Sequence, residues 1–433
     1  MRQPAREDAL DPSTSADSRA ARCLRILRIA AFAAVLPAAS PAQDRDAQAA
    51  PEAAQATAHE EAPADARQYP ALNEIVVSDE RGVPLAYPGG RDQVDEETLE
   101  TYVDGTAGTL LRRLPGVYVL PENGNDARIH VGLRGNDPRR SALTALLVDG
   151  IPVAEAPYGN TDVDGLPIAL ERIWKVDVIR GGASVRYGPN AAGGVVNFIT
   201  EPIPDDTLVR FGTRFGSNDD GAVWTTAGGT WDRLGVLATG VYKQGDGFRD
   251  RSDYEIADGS VKFAYALSER ETLSGSVSRF DEPKSHQAGG LTQAAYDKDP
   301  WQSLRFDNYF TLETDRYVVQ YENRIDPVTD FQLLSWFQQG SRVLADVRPV
   351  VAPFTEHRVQ NSGFSSAALE ARYAWETEAA GATHHFYHSA RYLMETNDVL
   401  YVRSPLPSGP ITTPHELDAD FKGHAFSVFN EKA

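Results

Sequence analysis

The sequence predicts a small α+β domain followed by a long antiparallel β region, and three observations carry that expectation. Residues 176–200, VDVIRGGASVRYGPNAAGGVVNFIT, hold two β-branched runs separated by Arg180-Gly181-Gly182 and Gly188-Pro189-Asn190, the pattern of short strands joined by tight turns. Upstream of them, one stretch with helical spacing is mixed with short strand-like runs. Beyond Pro204 almost every segment alternates apolar and polar residues at the strand period of two.

Composition narrows the class. At 433 residues, 41% hydrophobic and a mean hydropathy of −0.39, the chain is no bundle of membrane helices, each of which needs about 20 consecutive apolar residues. A membrane β-barrel stays open, because its strands alternate lipid-facing and lumen-facing residues. The net charge of −20 argues against nucleic-acid binding, which needs clustered Lys and Arg. With one cysteine, Cys23, no disulfide within the chain is expected.

Residues 1–42 read as a signal peptide. Arg19, Arg22, Arg25 and Arg28 precede an apolar run over 29–39, and Ser40-Pro41-Ala42 supplies small residues before a cleavage point. Cys23 has no lipobox-like sequence before it. Residues 43–71 are expected to be a disordered linker, since 43–68 are rich in Ala, Glu, Asp and Pro and hold no Phe, Tyr or Trp. Leu72-Asn73-Glu74-Ile75-Val76-Val77 follows, a β-prone hexapeptide. Beside a linker it is placed either to pair with a partner's strand edge or to open the next domain.

Over 79–204 the pattern is mixed. Leu99, Val103, Leu110, Leu111 and Leu114 give helical spacing across 96–114, interrupted near Gly105 and stopped by Pro115-Gly116. Short strands are expected at 117–120, 128–134, 144–148 and 174–179, with Asp149-Gly150 as a tight turn. The glycines of 181–194 are not a phosphate cradle, because neither a Lys-Ser/Thr pair nor a helical pattern follows them.

Residues 205–433 offer ten candidate strands, at 207–216, 221–231, 233–243, 260–267, 271–280, 316–325, 330–339, 362–375, 383–395 and 422–429. The inserts 282–315 and 342–361 read as long loops, while Asp205-Asp206 and 268–270 read as short turns. A transmembrane barrel and a soluble sandwich both alternate in this way.

Four motifs in order decide between them: LPGV at 114–117, IHVGLRG at 129–135, LLVDGIPV at 146–153 and IRGGASVRYGPNAAGGVVNFIT at 179–200. In order and spacing they resemble the plug domain of TonB-dependent outer-membrane receptors. The resemblance implies a plug over 79–204 and an antiparallel transmembrane β-barrel over 205–433. Ten strands against the family's roughly 22 make the barrel incomplete and the chain a fragment or a truncated reading frame.

The same resemblance makes Leu72, Asn73, Glu74, Ile75, Val76 and Val77 a TonB box. It implies TonB, with the inner-membrane ExbB/ExbD proteins, as partner, outer-membrane lipid as surroundings, and transport rather than enzymatic catalysis. No intrinsic cofactor is implied, and the cargo is a ferric chelate. The loop 289–303, GGLTQAAYDKDPWQS, and 150–159, GIPVAEAPYG, look like segments of ferric citrate receptors. Anionic ferric citrate would call for arginine donors, which points to Arg305 after that loop. Arg139, Arg140, Tyr158 and Asn160 would lie at plug apices.

Alternatives within the family are another siderophore, cobalamin, haem or an oligosaccharide. Outside it, the alternative is a secreted β-rich carbohydrate-binding or carbohydrate-active protein. His384, His385 and His388 invite a metal reading, but on a strand His385 points away from the other two, so they read as wall histidines. Asp205-Asp206 and Asp219-Asp220 read as solvated turn residues, and Asp162-Val163-Asp164 as a place for a cation.

Overall fold

In a computed structural model of the chain, the described residues run from 90 to 432, apart from 96–97, 100–105, 122–127, 154–164, 182–186, 188–190, 306–307, 349–355, 380 and 406–414. The signal peptide, the linker and the hexapeptide 72–77 therefore lie outside the described residues. No helix among those residues is long and apolar enough to cross a membrane, which says nothing of strands.

The first domain is built on a five-stranded sheet. Its strands are β1 (Arg91–Val94), β4 (Thr144–Val148), β5 (Ile151–Pro152), β6 (Ile173–Arg180) and β7 (Gly194–Thr200), in the order β1-β6-β7-β4-β5. Only β4 and β7 pair in parallel. A separate antiparallel pair joins β2 (Val117–Pro121) to β3 (Ile129–Leu133). The β6–β7 pair is the strand–turn–strand unit expected from residues 176–200.

Strands β4 and β7 read as unbroken apolar runs because both of their faces are covered. Leu146, Val148, Val196 and Phe198 enter one core with Leu110, Leu111, Ile129, Val131 and Val176. Ala145, Leu147 and Val195 enter a second with Ile179 and Tyr187. Two polar side chains buried in this sheet have hydrogen-bond partners, Asn197 through its oxygen alone. Asp177 receives two hydrogen bonds from Arg91 (2.8 and 3.1 Å), and the Asn197 side chain accepts from the N–H of Gly150 (2.8 Å). The β4–β5 hairpin turns on Asp149 (φ 52°) and Gly150 (φ 72°), the left-handed pair of a two-residue turn.

Within 96–114 the described residues Thr98, Leu99 and Ala107–Leu111 are helical. Helix α1 covers Ala107–Leu111, capped by Thr106, whose hydroxyl accepts from the Thr109 N–H. A first turn begins at Thr98, where the Asp95 side chain accepts from the Thr98 N–H (3.0 Å). Hydrogen bonding from the Thr98 side chain, and then from this N–H, holds the Asp95 carboxyl below the usual carboxylate range.

The second region is a ten-stranded antiparallel sheet in strict sequence order. It comprises β8 (Leu208–Phe215), β9 (Gly221–Trp231), β10 (Leu234–Gly245), β11 (Tyr254–Ala266), β12 (Glu271–His286), β13 (Tyr309–Asp326), β14 (Thr329–Arg348), β15 (Glu356–Ala379), β16 (Ala382–Pro405) and β17 (His415–Lys432). The strand count matches the sequence expectation, but several strands are longer than expected. The inserts 282–315 and 342–361 are not wholly loop, since β12 and β14 extend into them and β13 and β15 begin inside them.

One face of this wall is apolar and open. Val261, Phe263, Val277, Tyr317, Val319, Leu333, Phe337, Leu369, Tyr392 and Phe426 all stand exposed on it. The other face carries Lys243, Asp258, Lys262, Arg316, Gln338 and Glu370, all buried. Connections at one edge of the wall are two to four residues long, at 232–233, 267–270, 327–328 and 380–381. Those at the opposite edge are longer, with 287–308 the longest.

Candidate functional site

The first domain is held against the polar face of the wall by bonds that cross from one to the other. A one-turn helix at Leu170–Arg172, entering β6, supplies three of them. Arg172 pairs with Asp258 of β11, which also accepts from the Ala169 N–H (2.8 Å). Glu171 meets Lys243 of β10 (3.2 Å) and Arg214 of β8 (3.2 Å). Burial works against the charge of Glu171, yet Lys243, the residue's own backbone and Arg214 hold its carboxyl below the usual range.

The β4–β5 hairpin supplies the next group. Arg316 of β13 donates to the carbonyl of Val148 (3.2 Å), and Gln338 of β14 donates to that of Pro152 (3.2 Å). Ile151 at the hairpin tip packs with Val318, Leu334, Trp336, Ala368 and Leu393 of the wall. Lower on β11, Lys262 donates to the Glu201 carbonyl (2.6 Å). Nearer the long loops, Arg128 donates to the Gln287 side chain (2.9 Å) and lies over the Phe310 ring.

The long loop 287–308 is braced rather than loose. It contains helix α2 (Gln293–Lys298), capped by Thr292. Arg249, from the neighbouring connection, donates to the carbonyls of Gly289 and Gln302 (2.6 Å each) and so clamps both ends of the segment. Arg305 packs on Gly289. A Cβ there would lie 2.5 Å from Arg305 Cγ, and φ of +65° also favours glycine. Arg305 is half-buried. Burial holds its guanidinium below its ordinary range, and Asp346 of β14 opposes that shift.

The sequence-predicted residues are held by different elements. Arg305 belongs to the braced loop. Arg139 and Arg140 are exposed on a single turn, Arg139–Ser141, that follows β3. There Arg139 faces Asp137 (3.7 Å), and the Arg140 N–H donates to His130 Nδ1. Tyr158, Asn160 and the pair Asp162 and Asp164 lie outside the described residues.

His384, His385 and His388 turn to three separate partners, the Ala379 carbonyl, Glu376 and Asn430. No metal-holding cluster of His, Cys, Asp and Glu occurs among the described residues. Asp220 is not simply solvated, because it accepts from Tyr254 and from Arg214 (3.3 Å). Sequence reading passed over Arg249, Arg128, Asp258 and Lys262. The last two carry a recognisable signal, a charged side chain on the face of a strand whose other face is apolar and aromatic.

Residues 84–195 match the family model described as TonB-dependent Receptor Plug Domain. Over those residues the domain is similar to a TonB-dependent receptor plug. The polar-faced sheet behind it is the corresponding antiparallel barrel wall. The chain superposes on the ferric citrate transporter FecA in its unliganded form with a TM-score of 0.71 and 27% identity, over 80% of this chain and 54% of that one. The ferripyoverdine receptor of the Pseudomonas aeruginosa outer membrane gives a TM-score of 0.62 at 12% identity, over 79% of this chain and 49% of that one, a likeness of fold. In sequence, 190 residues are 28% identical to the vitamin B12 transporter BtuB of Photobacterium profundum, covering 42% of this chain and 29% of that protein. The chain thus spans about half the length of the solved structures cited and under a third of BtuB. These relatives are transporters and receptors, not enzymes.

Proposed function

We propose that this chain is the plug and part of the barrel of an outer-membrane importer in a Gram-negative bacterium, energised through TonB and carrying a ferric chelate of the ferric citrate type. The observation that carries the reading is the seating of the plug. A domain with its own core rests on the polar face of an outwardly apolar wall, below a braced loop that presents a half-buried arginine. The 27% identity with a ferric citrate transporter supports the substrate class. Arg305 is then the donor for an anionic chelate. Arg139, Arg140, Tyr158 and Asn160 complete the plug side of the site. Leu72–Val77 is the segment that TonB grips, with ExbB/ExbD behind it. The protein itself needs no cofactor.

A corrinoid is the second reading, favoured by the likeness to a vitamin B12 transporter. Tryptophan fluorescence of the detergent-extracted protein, titrated with ferric citrate, iron-free citrate and cyanocobalamin, tests both. Saturation by ferric citrate alone, weakened at least tenfold by Arg305→Ala, is expected. Saturation by cyanocobalamin alone would replace the first reading with the second. In cells, Ile75→Pro removes a ladder donor and is expected to stop uptake while surface binding persists. Uptake that continues would reject the box.

A further inference from the structure

The connection between β10 and β11, residues 246–253, is a closed turn of its own. The nearly buried Ser252 hydroxyl accepts from the Arg249 N–H (3.0 Å) and lies within hydrogen-bond reach of the Asp246 and Arg249 carbonyls. Gly247 lets the turn close, because it holds φ of +73° and a Cβ there would run into Ser252. This turn is joined to the long loop 287–308 at three places. The Arg249 guanidinium bonds the Gly289 carbonyl before α2 and the Gln302 carbonyl after it (2.6 Å each). The Asp250 N–H donates to the Trp301 carbonyl (2.9 Å). The Asp253 carbonyl accepts from the His286 N–H (2.9 Å), and its carboxylate meets the His286 ring (2.8 Å).

Two arginines from different connections meet at Gly289. Its carbonyl takes the Arg249 bond, and its bare Cα is the surface on which the Arg305 stem rests. Ser303 fixes the backbone of Arg305 by accepting from its N–H (3.2 Å) and donating to the Ala288 carbonyl (3.1 Å). The neck of the loop is closed separately, by the Gln287 N–H on the Asn308 carbonyl (3.0 Å). Without Arg249 the loop would keep its neck. The Gly289 peptide, which seats the Arg305 side chain, would lose its bond to the neighbouring connection.

We propose that Arg249 is a positioning residue for chelate binding: it fixes the Gly289 peptide, and through it the direction of the Arg305 side chain, without touching the chelate. The proposal rests on the reading of Arg305 as the donor for an anionic ferric chelate. A donor carried on a loop binds well when its neighbours hold the binding geometry in advance. Arginine suits the task because its planar fork reaches two carbonyls at once.

The test is a double-variant cycle on the full chain in detergent, read as equilibrium binding of radiolabelled ferric citrate. Arg249→Met is expected to weaken binding about fivefold in the parent and to change nothing in the Arg305→Ala background, since residues that act as a unit are not additive. Arg249→Lys keeps the charge without the planar fork and is expected to lose affinity in the same Arg305-dependent way. Unchanged affinity in Arg249→Met would overturn the proposal. So would an undiminished loss in the Arg305→Ala background, the mark of a direct ligand, or full affinity in Arg249→Lys, the mark of a charge alone. In all three cases Arg305→Ala by itself still weakens binding. A parent that does not bind ferric citrate, or an Arg305→Ala variant that binds as well as the parent, would instead remove the reading beneath the proposal and the proposal with it.

Discussion

Glu171 of the plug and Lys243 of the wall, 72 residues apart in sequence, lie 3.2 Å apart across the seam, both nearly buried. The carboxyl is held below its ordinary range when the plug is seated. Its contribution is therefore complete above the released-state value, about 4.3, and is lost as pH falls through the lowered seated value. Plug retention is expected to be flat from neutral pH down to about 4.5 and to weaken below it. In Glu171→Gln that acid limb is expected to disappear, with retention lower at neutral pH. Plug proteolysis after brief exposure across this pH range measures both.

Asp258 compensates Arg172, and both are buried. Removing one partner of such a pair costs about 3–5 kcal/mol, because the other charge stays buried alone. Asp258→Ala is expected to release the plug to protease while the wall keeps its strand content by circular dichroism. Restoring the parent's resistance by a second change, Arg172→Met, would mark the loss as one of charge rather than of packing.

Gly289 leaves room for Arg305. In Gly289→Ala, the new methyl meets the arginine side chain and the backbone must hold a positive φ that alanine disfavours, so the guanidinium is expected to be displaced. The prediction is a loss of ferric citrate affinity comparable with that of Arg305→Ala, measured by fluorescence titration with unchanged thermal stability of the wall.

Val319 and Gln320 are neighbours on β13 that face opposite ways, one half-exposed on the apolar face and the other buried. With the apolar face in lipid, Val319→Arg is expected to cost about 2–4 kcal/mol near the bilayer midplane. Reversible urea unfolding in lipid vesicles gives that number.

Local signals revealed the domain order, the strand count and the Asp149-Gly150 hairpin, because turn glycines and period-two alternation depend on neighbouring residues. Strand ends were less legible. Toward the long loops the strands stay paired while the outer face becomes polar, as at Thr311, Glu313 and Asp315 of β13, and the apolar residues, Phe310 and Leu312, lie on the other face. The apolar face thus changes sides along one strand although the hydrogen-bond ladder continues. Strand β1 was missed for a related reason. Its sequence, RDQV, lacks an apolar face, and its pairing with β6 is fixed in part by Arg91 reaching Asp177, 86 residues away. The seam was hidden altogether, since nothing in the sequence around Arg172 or Asp258 names its partner.

The plug keeps most of its buried apolar residues for its own two cores, and, beside Ile151, the Arg128–Phe310 stack and Gly165 against Leu312 and Phe310, its described contacts with the wall are single hydrogen bonds and ion pairs. The mechanical consequence concerns force. A greasy joint must expose its whole area before it yields, whereas these contacts are discrete and each can be exchanged for water. A steady tug on the domain's leading end can therefore undo them one after another, like a zip, at a force far below that needed to tear the sheet of the plug itself.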